Sequence, residues 1–272
     1  MQYTPKKYLI KTYGCQANHA DSSKIAGILE TLGFERTDSI DKTDVFIINT
    51  CSVRQKSEDK VFGFPQQLPE DKKPFIIMAG CMVGSVTGKR QRYSFKKLKD
   101  KTSWVDAYIN PDQLDEVPNI LKEHGLVEEW GSDTDFNKTD LIQEKSEQDN
   151  IGYVNISYGC DNFCTFCVVP YAREKEISRE PREIFEDIKK LTDKGFDHIM
   201  LCGQNVNSWG LSPTEKLQTR TAEDKKLPFA DLLRDVHKLD DVRKISFLSS
   251  NPFDFTQDLI KAVSMPKIDN YL

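Results

Sequence analysis

Two series of alternating strand-like and helix-like runs predict an α/β protein. The first series, over 1–130, reads as a doubly wound parallel-sheet domain, and the second, over 151–272, as a partial (βα) barrel. Three observations carry the prediction. Short continuous apolar runs of strand length recur between amphipathic helical stretches. A polar, acidic segment at 131–150, with Ser132, Asp133, Asp135, Asp140, Glu144, Glu147 and Asp149, separates the series and reads as an interdomain linker. Cysteines or glycines follow strand after strand, where the loops of such sheets carry function.

In the first series, Tyr8-Leu9-Ile10 opens a strand that ends near Tyr13. Asp21 then reads as an N-cap, and Ile25, Ile28, Leu29 and Leu32 recur at helical spacing before Gly33 stops the run. Val45-Phe46-Ile47-Ile48 and Phe75-Ile76-Ile77-Met78 are buried strands, and Val105 to Ile109 is a weaker fourth before a helix from Asp112 to Glu123. In the second series a strand spans Ile151 to Tyr158. Pro181 opens a helix striped by Ile184, Phe185, Ile188 and Leu191 and ended by Gly195. His198 to Leu201 is the next strand, Pro228 starts a helix, Lys244 to Leu248 makes a strand and Phe255 to Val263 a helix.

Cys15, Cys51 and Cys81 each follow one of the first three strands. The C-terminal ends of parallel strands share one edge, and ligands bind outside that edge. Three cysteines far apart in sequence are therefore expected to converge there, and metal binding explains that placement better than core packing does. Gly14 and Gly80 directly precede two of them and suit a tight loop backbone.

A second trio stands in the run Gly159-Cys160-Asp161-Asn162-Phe163-Cys164-Thr165-Phe166-Cys167. Closed zinc sites take four ligands, commonly as two separated pairs. Here three thiolates come from one loop with no fourth nearby. Three cysteines on a cubane cluster leave one iron open, whereas electron carriers use four. An open iron is a place for chemistry.

Composition bounds the rest. The 272 residues are 38% hydrophobic and 30% charged, a soluble balance. No apolar stretch approaches bilayer length, and Met1 to Lys7 lacks the features of a signal peptide, so a cytoplasmic protein without membrane contact is expected. Seven cysteines in such a chain argue for metal or redox duty. The net charge of −5 argues mildly against nucleic acid. Against it stands the basic run Lys89, Arg90, Arg92, Lys96, Lys97, Lys99 and Lys101, which fits a solvated helix face as well as a phosphate contact. Gly84 to Arg90 is one residue short of a phosphate loop and has Arg90 where Ser or Thr belongs, so it is rejected as one. The four histidines are scattered without ligand spacing.

The loop and its continuation, Cys160 to Arg173 with Val168-Val169-Pro170-Tyr171-Ala172, resemble the radical S-adenosylmethionine enzymes, more narrowly the methylthiotransferases of the MiaB type that act on tRNA. Gly14-Cys15-Gln16-Ala17-Asn18, Asn49-Thr50-Cys51-Ser52-Val53-Arg54, Ala79-Gly80-Cys81-Met82-Val83 and Gly203-Gln204-Asn205-Val206-Asn207-Ser208 agree with it, in order along essentially the whole chain. The second domain is then a partial radical-SAM barrel. The sequence departs from the family in three places. Ala17 stands where Met is usual, Glu174 stands where Gly follows the arginine, and the chain stops at Leu272, before the remaining strands and the TRAM RNA-binding domain that the family carries.

The resemblance implies two 4Fe–4S clusters. Cys160, Cys164 and Cys167 would hold the one that binds and cleaves S-adenosylmethionine, with Phe166 near the adenine and Gly203 and Gln204 at the methionine amino group. Cys15, Cys51 and Cys81 would hold an auxiliary cluster that carries the sulfur to be inserted. The implied reaction methylthiolates carbon 2 of an isopentenylated adenosine in the tRNA anticodon loop, with help from a sulfur donor and an electron donor such as flavodoxin or ferredoxin. Threonylcarbamoyl-adenosine in tRNA or an aspartate of a ribosomal protein are the competing substrates, and the Cys-Val-Val-Pro-Tyr run from Cys167 favours the isopentenyl one. Outside the class, a non-catalytic iron–sulfur or zinc protein is the alternative, against which the missing fourth ligands speak. No role is assigned to Cys202.

Overall fold

The computed structural model describes residues 5–52, 55–69, 72–88, 91–130, 134, 136, 150–219 and 225–269. The predicted linker therefore lies outside the described residues except at 134, 136 and 150, as do Lys89, Arg90 and the last three residues. The chain forms two compact units, one of Met1–Ile142 with Asp161–Glu174, the other of Gln143–Cys160 with Lys175–Leu272.

The first unit is built from β1 (Lys7–Tyr13), α1 (Gln16–Thr31), β2 (Glu35–Arg36), β3 (Val45–Thr50), α2 (Gln55–Phe62), β4 (Phe75–Gly80), α3 (Cys81–Thr87), α4 (Phe95–Lys101), β5 (Ala107–Ile109) and α5 (Val117–Glu123). Among the described residues its five strands are all parallel in the order β2-β1-β3-β4-β5. This is a doubly wound sheet whose strand order reverses between β1 and β3. Alternation along the strands feeds two cores. Tyr8, Val45, Ile47 and Ile77 pack with Ile25, Ile28 and Leu29 of α1 and Val117 and Leu121 of α5. Leu9, Phe46, Ile48, Ile76 and Met78 face the other way, onto Val61, Phe64, Val83, Val86 and Leu98. Burial on both faces explains why these strands read as unbroken apolar runs.

Three expectations need correction. Helix α1 starts at Gln16 with Cys15 as N-cap, not at Asp21, which lies inside the helix and is buried. Asp21 is not a cap because it is one half of a buried ion pair. The expected helix from Asp112 is a 3-10 turn over Leu114–Glu116 followed by α5, with Pro118 in the first turn. The strand expected over Ile151–Tyr158 breaks at Ile156, because its continuation turns to pair elsewhere.

The second unit carries β6 (Ile151–Asn155), β7 (Ser157–Tyr158), β8 (Ile177–Ser178), α7 (Pro181–Asp193), β9 (His198–Cys202), α8 (Pro213–Thr219), α9 (Pro228–His237), β10 (Lys244–Phe247) and α10 (Gln257–Val263). Strands β10, β9 and β6 form a parallel sheet in that order, while β7 and β8 pair antiparallel. A further parallel bridge joins Ile245 to Ile268. Three strands, each followed by a helix, make an open segment of a (βα) barrel, which is not closed among the described residues.

The sequence boundary at 150/151 puts Asp161–Glu174 in the second domain, whereas this segment packs within the first unit. Its short helix α6 (Val169–Ala172) lies on α3. The approach is so close that a Cβ on Gly84 would strike the Ala172 carbonyl. The rejected phosphate loop is helical over its first residues, since α3 runs through Thr87.

At the N-terminal edge of the first sheet, Asp44 ties together the starts of three strands. Its carboxylate accepts from the Lys7 amide at 2.7 Å and from Lys72 at 2.7 Å, and its carbonyl accepts from Phe75 N–H at 2.9 Å. Burial alone would raise the Asp44 carboxyl, but the Lys72 and Lys7 hydrogen bonds and the charges of Lys72 and Lys6 hold it below its usual value. A depressed carboxylate stabilises the fold above its unfolded pKa and loses that contribution as pH falls through the folded one. Asp44→Ala should cost about 1 kcal/mol at pH 7 in denaturant unfolding. The gap to the parent should begin to narrow as pH falls below about 4 and shrink further as pH passes the lower folded value.

Candidate functional site

The registers Tyr13↔Thr50 and Thr50↔Gly80 bring the ends of β1, β3 and β4 level. Cys15, Cys51 and Cys81 follow those ends directly, so they share the C-terminal edge of three adjacent strands. Cys51 and Cys81 are buried and Cys15 is partly exposed. The glycines before them are dictated by space. A Cβ on Gly14 would collide with the Asn18 side chain, and one on Gly80, at φ 96°, with Asn49 and Thr50.

Buried polar groups hold the loops in place. Asn18 Nδ2 donates to Asn49 Oδ1 at 2.8 Å and to the Thr50 carbonyl at 3.2 Å. Asn49 Nδ2 donates to the Asn18 carbonyl at 2.8 Å and to Ser22 Oγ at 2.9 Å. The Cys15 amide donates to Asn18 Oδ1 at 3.3 Å, and the Cys51 amide to the Tyr13 carbonyl at 2.9 Å. The Cys51 backbone is thus tied to the end of β1, and that of Cys15 to Asn18 of α1, which in turn bonds β3. Beside Cys51, Ser52 donates to Glu58 at 3.4 Å, and Arg92 bonds both Glu58 and Ser52, at 3.0 and 3.2 Å.

Arg173 reaches the same edge from the segment that follows Cys167. Its side chain is buried, Nη2 donates to Asp21 at 2.5 Å, and Nε donates to the Cys81 sulfur at 3.2 Å. Burial pushes the Cys81 thiol up, the Arg173 cation pulls it down, and the charges of Cys15 and Asp21 push it up again. Cys15 and Cys81 are thus electrostatic neighbours. Sequence reasoning missed Asn18, Asn49 and Arg173 as functional, although all three lie in the motif stretches that carry the resemblance, and it misread Asp21.

Among the described residues, no three of His, Cys, Asp and Glu are gathered as a single metal ion requires. A cubane asks for something different, since each thiolate takes its own iron and the sulfurs stand apart. Three soft donors at one edge, one of them facing a fixed cation, fit such a group.

Of the second trio, Cys160 is buried in the second unit, while Cys164, exposed, and Cys167, partly exposed, belong to the first. The Cys167 amide closes a turn onto the Cys164 carbonyl at 2.9 Å. Phe166 is 91% exposed, so its ring is available to a ligand. Gly203 and Gln204 follow β9, level with the end of β6 through the pair Asn155↔Cys202. A Cβ on Gly203 would stand 2.6 Å from Ser157 Oγ. Ser157 Oγ, Asn205 Oδ1 and Asn207 Oδ1 are buried at this strand edge and find no hydrogen-bond partner among the described residues. Buried acceptors in that state suit a polar ligand that brings donors. Cys202 is buried with its thiol on the Met200 carbonyl at 3.5 Å, as a strand residue would be.

Residues 7–108 match the model of uncharacterized protein family UPF0004, and residues 154–268 that of the radical SAM superfamily. The tRNA-2-methylthio-N(6)-dimethylallyladenosine synthase of Clostridium novyi is 37% identical over 268 residues, 95% of this chain and 55% of that protein. The chain belongs to the radical S-adenosylmethionine methylthiotransferase family. The Bacillus subtilis synthase of the same name is 35% identical, over 95% of this chain and 49% of its own length. The chain thus spans about half the length of the curated relatives it matches. The solved radical S-adenosylmethionine methyltransferase TsrM of Kitasatospora setae shares the fold, with a TM-score of 0.54 at 12% identity over 96% of this chain and 57% of its own.

The family's glycine after the arginine has a physical reason in this structure. Glu174 occupies that position at φ 55°, the left-handed region that L side chains disfavour. Its carboxylate also lies near Asp112. That carboxyl is raised, by burial first and then by the charges of Glu174 and Asp115, against a backbone hydrogen bond that lowers it. Glu174→Gly should stabilise the chain by about 1 kcal/mol in denaturant unfolding, after the entropy cost of glycine. The Asp112 carboxyl should titrate lower in that variant by NMR.

Proposed function

We propose that this chain carries the cluster-binding machinery of a tRNA methylthiotransferase, a transferase that adds a methylthio group to carbon 2 of an isopentenylated adenosine beside the anticodon. The observation that carries the reading is the shared strand edge of Cys15, Cys51 and Cys81 in a chain that also holds the Cys160 loop. These trios would each hold a 4Fe–4S cluster, with one iron left to an outside ligand. Bound there, the clusters supply the one-electron and sulfur chemistry that the side chains themselves lack.

The chain's own residues supply position and shielding. Gly203 and Gln204, with the buried acceptors of Ser157, Asn205 and Asn207, would take the methionine end of S-adenosylmethionine. Asn18 and Asn49 would keep the strand-end thiols in fixed register. An adenosine in an anticodon loop is unpaired, which lowers the cost of presenting it to the site. A sulfur donor and an electron donor of the flavodoxin or ferredoxin kind would complete the cycle.

For the RNA, α4 offers Lys96, Lys97, Lys99 and Lys101. Lys97 lies over Tyr93, Lys99 over Phe95 and Lys101 over Phe62, at 5.8, 4.6 and 5.0 Å from the ring centres. Lysines held this way still present charge to phosphates, and such a contact would weaken with salt. No helix among the described residues is long and apolar enough to cross a membrane.

Anaerobic reconstitution tests the reading. The chain should bind roughly eight irons, falling to roughly four when Cys160, Cys164 and Cys167 become Ala, with S-adenosylmethionine cleavage abolished. Replacing Cys15, Cys51 and Cys81 should also halve the iron but leave reductive cleavage to 5′-deoxyadenosine in place. Full iron retention in the first variant, or two tightly bound zincs in the parent, would refute the assignment.

A further inference from the structure

The Asp21–Arg173–Cys81 chain exceeds what packing alone needs. An apolar side chain at position 173 could fasten α6 to the first unit, since buried ion pairs are often no more stabilising than well-packed hydrophobic ones. The structure instead buries a permanent cation, anchors one arm of it on Asp21 at 2.5 Å, and aims another N–H at a cysteine sulfur at 3.2 Å. Arginine cannot lose its proton in a protein, and its planar fork fixes both bonds from one rigid group. Hydrogen bonds and charges at ligand sulfurs are among the main determinants of an iron–sulfur cluster's potential, and groups that hydrogen-bond a ligand hold it in place.

We propose that Arg173 is a positioning residue for the cluster at Cys15, Cys51 and Cys81, orienting Cys81 and raising that cluster's reduction potential through a charged N–H···S bond. The proposal rests on the assignment of that trio to a cluster. It also gives the chain a direct mechanical link, because Arg173 lies six positions after Cys167. The segment bearing the last two cysteines of the loop is thereby fastened to a ligand of the other trio.

The test uses the full chain with Cys160, Cys164 and Cys167 replaced by Ala, so that one cluster remains. Its potential is read by dithionite titration followed by electron paramagnetic resonance. Arg173→Gln keeps hydrogen-bond donors and removes the charge; Arg173→Lys keeps the charge. The glutamine variant should hold about four irons and become at least tenfold harder to reduce, a fall of about 59 mV for one electron. The lysine variant should stay within tenfold of the parent. If loading is incomplete, competition with a chelator replaces the titration, with a loss of iron affinity of about 10–100-fold expected for glutamine and under tenfold for lysine. A loaded glutamine variant with an unmoved potential, or equal affinity losses in both variants, overturns the proposal alone. A parent that binds no iron overturns the cluster assignment beneath it.

Discussion

The parallel register of β1, β3 and β4 is the constraint on which the rest depends. Parallel strands place their C-terminal ends along one edge, and this register sets Tyr13, Thr50 and Gly80 level. A slip of one residue would turn every buried side chain of a strand to the wrong face. Both faces here are packed with helices, so the apolar cores themselves forbid such a slip. Asp44 fixes the same three strands at one end of the sheet, and at the other Asn18 with Asn49 ties α1 and the Cys15 amide to β3. Buried hydrogen bonds thus hold the backbone around Cys15 and Cys51 in place at that edge, which is what preorganisation of a site requires.

The second constraint is electrostatic. Cluster ligation would make Cys15, Cys51 and Cys81 thiolates and concentrate negative charge at this edge, and Asp21 beside Cys81 adds more. Arg173 is the buried cation that answers both. Its position after the cysteine loop means that a residue distant in sequence completes the first unit, which is why Asp161–Glu174 packs with that unit.

The longer strands of the parallel sheets were legible because strands buried on both faces leave short continuous apolar runs of strand length. The cysteine trio was legible because each member follows such a run directly. What the sequence hid depends on tertiary partners. Asp21 has the chemistry of a helix cap, and only the arrival of Arg173, 152 positions later, turns it into a buried ion-pair partner. The two-residue strand β2 is too short to leave a pattern. The break at Ile156 follows from the pairing of Ser157–Tyr158 with Ile177–Ser178, which no local signal announces. Glu174 is the reverse case. The departure from the family's glycine was visible in the sequence, and the backbone angle supplies its meaning.

An iron anomalous difference map from crystals of the anaerobically reconstituted chain addresses the central claim most directly. The account predicts a four-iron cluster touching the sulfurs of Cys15, Cys51 and Cys81, with one iron free of protein ligands and the Arg173 guanidinium on Cys81. A single tetrahedral metal ion closed by a fourth protein ligand at that strand edge, or iron bound elsewhere with the three thiols free, would contradict it.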